Sequence, residues 1–149
     1  MKMYLRFLAM IASSTALMYA AMFLNTYAWE HVFWSETRFF MALVMGAIMA
    51  VVMLLFMRGM YQNKMLNMII LGASVVLFSG SLYLVRSQMT VGDVSYMKAM
   101  IPHHSIAILT SERANITDPR VRALADEIIE AQRREISDMK DLIQDLEAQ

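Results

Sequence analysis

Met97, Met100, His103 and His104 lie within eight residues of one another in a chain that has no cysteine. Thioethers and imidazoles hold soft and borderline metals, with thioethers favouring Cu(I) and imidazole with carboxylate favouring Cu(II). The chain has 17 methionines but only three histidines, so two adjacent imidazoles are a concentration of its metal-binding chemistry. Pro102 stands immediately before them, and a proline inside a helix removes one backbone hydrogen bond and tends to bend it.

Two helices must position these groups. Asp93 or Ser95 can cap the first, which is expected to run to about Ala114. Residues 115–118 make a turn. Thr117 or Asp118 then caps a second helix with Pro119 in its first turn, where proline is favourable, and this helix is expected to reach about Leu146. Its heptad reads Val121, Ala125, Ile128, Gln132, Glu135, Met139, Leu142 and Leu146. Six of these eight are apolar, as a buried seam requires, and Gln132 and Glu135 interrupt it. A buried carboxylate is costly unless it is paired, protonated or bound to a cation. On the first helix Met97, Met100, His104 and Ala107 share an arc of roughly 80°, with His103 on its flank. Antiparallel pairing sets this patch against Gln132, Glu135 and Met139. Helix geometry points neighbouring side chains about 100° apart, so the two histidines do not easily share one ion. A plain ion pair of Glu135 with Lys98 or Arg113 is the competing reading. One hairpin is also too small to bury its own seam, so it is expected to dimerise into a four-helix bundle or to dock on another partner.

The other half of the chain is membrane-like. Phe39–Met57 and Leu66–Val85 are uncharged apolar runs of the length a span needs, roughly 20 residues. Gly72, Ala73, Ser79 and Gly80 permit close helix packing in the latter. Phe7–Leu24 is a third run behind Lys2 and Arg6. It has signal-peptide features, but about 18 residues exceeds the usual apolar core of a signal, which favours a retained helix. Tyr27, Trp29, Phe33 and Trp34 read as an interfacial aromatic belt. Lys2, Arg6, Arg58 and Lys64 fall on one side of such a topology and Arg38 and Arg86 on the other. The positive-inside rule then places the carboxy-terminal hairpin outside the cytoplasm.

Met41, Met45, Met49, Met53 and Met57 recur every four residues, and Met10, Met18 and Met22 repeat that spacing with Ser14 in the vacant place. A thioether path for Cu(I) is one reading. Packing is the favoured one, because methionine is an adaptable apolar filler and no ionisable residue interrupts the three runs, as ion pathways usually require.

The net charge of zero conceals a division. Residues 1–86 hold six basic side chains against Glu30 and Glu36, whereas residues 87–149 hold seven against eleven acidic ones. No basic stripe with interleaved aromatics is present, so nucleic acid is not an expected partner. The absence of cysteine excludes disulfides, zinc ribbons and thiolate catalysis. No Ser/His/Asp set, phosphate loop, His-Glu-x-x-His or Glu-x-x-His pair is legible, so no enzymatic activity is expected.

The string Asp93-Val-Ser-Tyr96-Met97-Lys-Ala-Met100-Ile-Pro102-His103-His104, then Asp118-Pro119, then Gln132-Arg-Arg-Glu135-Ile-Ser-Asp-Met139 resembles a bacterial family, the domain of unknown function DUF305. The resemblance covers about residues 93–146. It implies a ferritin-like helical fold, export from the cytoplasm, and a copper role of the kind associated with a cyanobacterial periplasmic member. That role would rest on Met97, Met100, His103, His104 and Met139; Gln132 and Glu135 match the pattern without an assigned role. The chain departs from its relatives in having one copy of the hairpin and a multi-span membrane region.

The sequence therefore predicts an all-α membrane protein: spans at about 7–24, 39–57 and 66–85 (region 1–86), then a hairpin domain over 87–149. It is expected in a bacterial cytoplasmic membrane with the hairpin in the periplasmic or extracytoplasmic space. The expected function is copper binding, as Cu(I) or Cu(II), by a homo-oligomer through His103, His104, Met97, Met100, Met139, Glu135 and Gln132. The alternatives are a structural oligomerisation module with a buried polar network and, last, a ferritin-like redox protein.

Overall fold

The computed structural model describes residues 2–148. It is all-helical, with five α-helices, one short 3-10 turn and no strand among the described residues. The helices are α1 (Lys2–Ala21), α2 (Glu36–Phe56), α3 (Lys64–Ser87), α4 (Asp93–Arg113) and α5 (Pro119–Glu147), and the 3-10 turn is Trp29–His31. The first three are long and apolar enough to cross a membrane. The chain divides into two compact units. One comprises Met1–Met22 with Thr37–Thr90, and the other Phe23–Glu36 with Val91–Gln149.

In the first unit, Tyr4 and Phe7 of α1 pack with Ala50 and Leu54 of α2 and with Tyr61; Leu66, Ile70 and Leu71 of α3 lie against them. The Tyr4 hydroxyl donates to Oδ1 of Asn67 (2.9 Å) and accepts from the backbone N–H of Asn63 (3.1 Å). Asn63 also caps α3, its side chain accepting from the N–H of Leu66. Met53 and Met57 pack against the same aromatic cluster, which is the filler role that methionine's flexibility suits. Gly46 of α2 faces Thr15 of α1 so closely that an added Cβ would collide with the threonine side chain. Gly46→Val is therefore expected to destabilise this unit by roughly 1–3 kcal/mol, the usual cost of overpacking. Thermal unfolding in detergent, followed by circular dichroism, measures it.

The second unit is the α4–α5 hairpin with the 23–36 segment folded onto it. Asp118 caps α5 by accepting from the N–H of Arg120 (2.8 Å), with Pro119 next to it. The side chains of Asp118 and Arg120 also pair, which lowers the aspartate's pKa. The N-cap of α4 is Gly92, with no side-chain cap, in place of the expected Asp93 or Ser95. Ion pairs Lys98–Glu147 and Arg133–Glu112 tie the two helices together. The core is Met97, Ile101 and Ile108 of α4 against Ile129, Ile136 and Ile143 of α5, with Phe33, Val94 and Met139 packed on it.

That core corrects the seam read from the sequence. The buried residues of α5 are Ala125, Ile129, Ile136 and Ile143, whereas Val121, Ile128, Glu135, Leu142 and Leu146 are exposed. The helix is turned by roughly 60°, so Ala125 stays buried and Met139 still packs on the core while the edge at Val121, Ile128, Glu135 and Leu142 swings outward. The amphipathic pattern permits both settings, because apolar residues occupy adjacent positions at 128–129 and 142–143. The Lys98–Glu135 and Arg113–Glu135 pairs considered from the sequence are not made. Lys98 pairs with Glu147, and Glu135 meets His104.

Candidate functional site

His104 lies on α4 one turn after Met100, at the edge of the core formed by its neighbours Ile101 and Ile108. Its Nδ1 lies 2.9 Å from Oε2 of Glu135 on α5. The distance suits a charge-assisted contact, and Nδ1 is shut off from solvent. Gln132, one turn before Glu135, donates from Nε2 to the same Oε2 at 3.4 Å. The polar interruption on α5 and the imidazole on α4 thus meet at one level, as antiparallel pairing requires.

Burial lowers the pKa of His104, and the charge of His103 acts in the same direction. Glu135 opposes both without overcoming them. The imidazole is therefore neutral at pH 7, the form that binds metals. Its half-buried ring contrasts with the exposed carboxylate beside it.

The other sequence candidates are dispersed around this pair. His103 is exposed, its ring 6.1 Å from that of His104 and tilted 62° to it. Met100 is half-buried. Met97 is 7% exposed inside the isoleucine core, and Met139 packs on that same core. The two thioethers consequently share apolar surroundings, whereas His104, Glu135 and Gln132 form the polar set. Among the described residues, no group of three or more His, Cys, Asp or Glu side chains is placed to hold a metal ion within one chain.

His31 is a further site residue that the sequence reading passed over. It is buried in the 23–36 segment, and its Nδ1 lies 2.9 Å from Oγ of the fully buried Ser105. The same Oγ accepts from the N–H of Tyr27 at 2.7 Å. Its hydroxyl proton is free to point at Nδ1, and Nε2 lies 3.6 Å from Oε1 of Glu30. Lys140 reaches Glu30 from α5 at 3.4 Å. Ser105 has no exposed surface, so this grouping works as an anchor and not as a nucleophile. Phe33, read as part of an interfacial belt, instead packs on the hairpin core; Trp29 is 82% exposed. A lone histidine some 70 residues from its partner carries no periodic signal, which is why the sequence did not reveal it.

Two outcomes follow from this anchor. Ser105→Ala removes the partner of the buried His31 imidazole and of the Tyr27 N–H and is expected to cost about 1–3 kcal/mol, measured by urea unfolding through the fluorescence of Trp29 and Trp34. Burial, then Lys140, lowers the pKa of His31 against the opposing effect of Glu30. The unfolded histidine takes up a proton near pH 6.5, and the folded one resists until a lower pH. Stability is therefore intact above that range and falls as pH drops through it. His31→Gln is expected to reduce this acid sensitivity, with the remainder due to His104, whose pKa is lowered in the same direction.

Residues 86–149 match the family model described as a domain of unknown function, DUF305. The chain is also similar to an uncharacterised protein of Acanthamoeba polyphaga mimivirus, 33% identical over 113 residues, 74% of this chain and 72% of that one. The chain belongs to the DUF305 family. No solved structure matches it. Residues 86–149 are less than half of the chain, so a match over 74% of it reaches into the apolar amino-terminal half as well. The DUF305 segment begins at the end of α3 and includes the whole α4–α5 hairpin, with Met97, Met100, His103, His104, Gln132, Glu135 and Met139 all inside it.

Proposed function

We propose that this DUF305 protein is a membrane-anchored, extracytoplasmic metal-binding protein that serves copper handling through the His104–Glu135 pair. The observation that carries the proposal is the meeting of a half-buried imidazole and a carboxylate across the hairpin, Nδ1 of His104 lying 2.9 Å from Oε2 of Glu135. The donors fit a borderline cation: imidazole nitrogen and carboxylate oxygen suit Cu(II), with the thioether of Met100 one turn away for Cu(I). Copper bound here would add Lewis acidity and affinity for soft ligands. The chain's own part is to keep His104 neutral by burial and to hold its Nδ1 and Oε2 of Glu135 together across the hairpin.

With three crossings, the 23–36 segment and the hairpin would lie on the same side of a bilayer. Their packing into one compact unit supports that parity, and the distribution of Lys and Arg favours the extracytoplasmic side. The bacterial cytoplasmic membrane is the proposed location, and binding without catalysis the proposed activity.

A copper(II) titration of the full, untagged chain in nanodiscs tests this reading. Saturable binding that weakens in the His103→Ala, His104→Ala double variant is the expected result; unchanged affinity in that variant would overturn it. The second reading is a structural module in which Gln132, Glu135 and His104 set the register of the hairpin. The direct His104–Glu135 contact favours it, and it predicts a fully folded chain with no response to copper.

A further inference from the structure

The hairpin has one covered side and one open side. Tyr27, Glu30, His31 and Phe33 lie along one side of α5, over Arg133, Ser137, Lys140 and Gln144. At 100° per residue, these four α5 positions lie roughly 170° around the helix from a second row. That row is Leu124, Ile128, Glu135, Leu142 and Leu146. Its apolar members are 57%, 36%, 52% and 39% exposed, in that order, more than enough to form an unpartnered stripe.

The stripe is centred on the candidate metal ligand. Ile128 and Leu142 flank Glu135 at equal spacing on either side, and so do Leu124 and Leu146 further out. A surface symmetric about one residue is the pattern that an isologous two-fold contact uses, because each patch must complement its own copy. One chain, moreover, supplies only half of a ligand set, a single imidazole–carboxylate pair.

We infer that the occupant of this stripe is a second copy of the chain, docked about a two-fold axis beside Glu135, and that one metal ion bound between the copies is held by the His104–Glu135 pair of each. Whichever way the two α5 helices run, such an axis brings Glu135 against its counterpart. Two imidazoles and two carboxylates then converge, a full set for a four-coordinate divalent ion. The isoleucine and leucines on either side seal the centre from water. Two carboxylates meeting in an apolar contact would otherwise be costly, and the cation offsets their repulsion. Docked in this way, two hairpins make a four-helix bundle with a metal site inside it, a place where bundles commonly build such sites. The inference rests on the metal-binding reading above and adds the partner and the stoichiometry.

The test uses the full chain in detergent micelles with copper(II) chloride as the probe. Mass by light scattering and metal per chain by calorimetry are read together. The expected result is a dimer holding one copper per two chains. The surface variant Ile128→Glu with Leu142→Glu should be monomeric, with helical content unchanged and affinity reduced about 100-fold or more. Because the chain has no cysteine, Asp138→Cys beside the axis should cross-link on oxidation, and Glu130→Cys on another face should not. One copper per monomeric chain, with affinity unaltered in the surface variant, would overturn the two-fold site and leave the metal reading standing. A dimer that binds no copper would overturn the metal reading, and the shared site with it.

Discussion

His104→Ala should weaken copper(II) binding by about 100-fold or more, at least 2.7 kcal/mol at 1.4 kcal/mol per tenfold. The magnitude follows from the position of the ring. Changing an outer partner of a metal ligand typically costs 10–100-fold, and a direct ligand must lie at or above the top of that range. Glu135→Gln should also cost about 100-fold or more, because the amide keeps the shape of the side chain and loses the charge of a direct ligand oxygen. His103→Ala alone should do less than His104→Ala, since His103 is exposed and makes no contact with Glu135 like that of His104. Calorimetric titration at pH 7 measures all three. Equal losses at His103 and His104 would mean that the burial of His104 has no bearing on binding.

The second large effect concerns the hairpin core. Ile136→Ala should destabilise the second unit by about 2–5 kcal/mol, the range for a large-to-small change at a closed site. Ile136 is 4% exposed in the isoleucine cluster, so its removal leaves a cavity. Val121→Ala, at a position 50% exposed, should change stability by no more than about 0.5 kcal/mol, as surface substitutions do. Urea unfolding of both variants distinguishes the observed rotation of the helix from the one read from the sequence. In that alternative Val121 would be a core residue and Ile136 would not.

That rotation marks the limit of what the sequence made legible. The three apolar runs, the turn at 115–118 and the Asp118–Pro119 start of α5 were readable because length, charge-free composition and capping chemistry are local signals. The meeting of His104 with Glu135 was readable too, since antiparallel pairing fixes the level at which residues face each other. The rotation of α5 was not. Ile128–Ile129 and Leu142–Ile143 offer apolar groups to either setting, and the choice is made by packing against Ile101 and Ile108. The folding of the 23–36 segment onto the hairpin was also hidden. Nothing near His31 announces Ser105 as its partner, and Phe33 looks the same in sequence whether it meets lipid or an isoleucine core. Met97 has a comparable ambiguity: its spacing from His104 suits a ligand, and its burial suits packing.

The most direct test of the account is the electron paramagnetic resonance spectrum of copper(II) bound to the full, untagged chain in nanodiscs at pH 7. The account predicts nitrogen hyperfine structure from imidazole that is lost in His104→Ala and survives in His31→Gln, a histidine packed on Ser105 elsewhere in the unit. A spectrum unchanged by His104→Ala would contradict it.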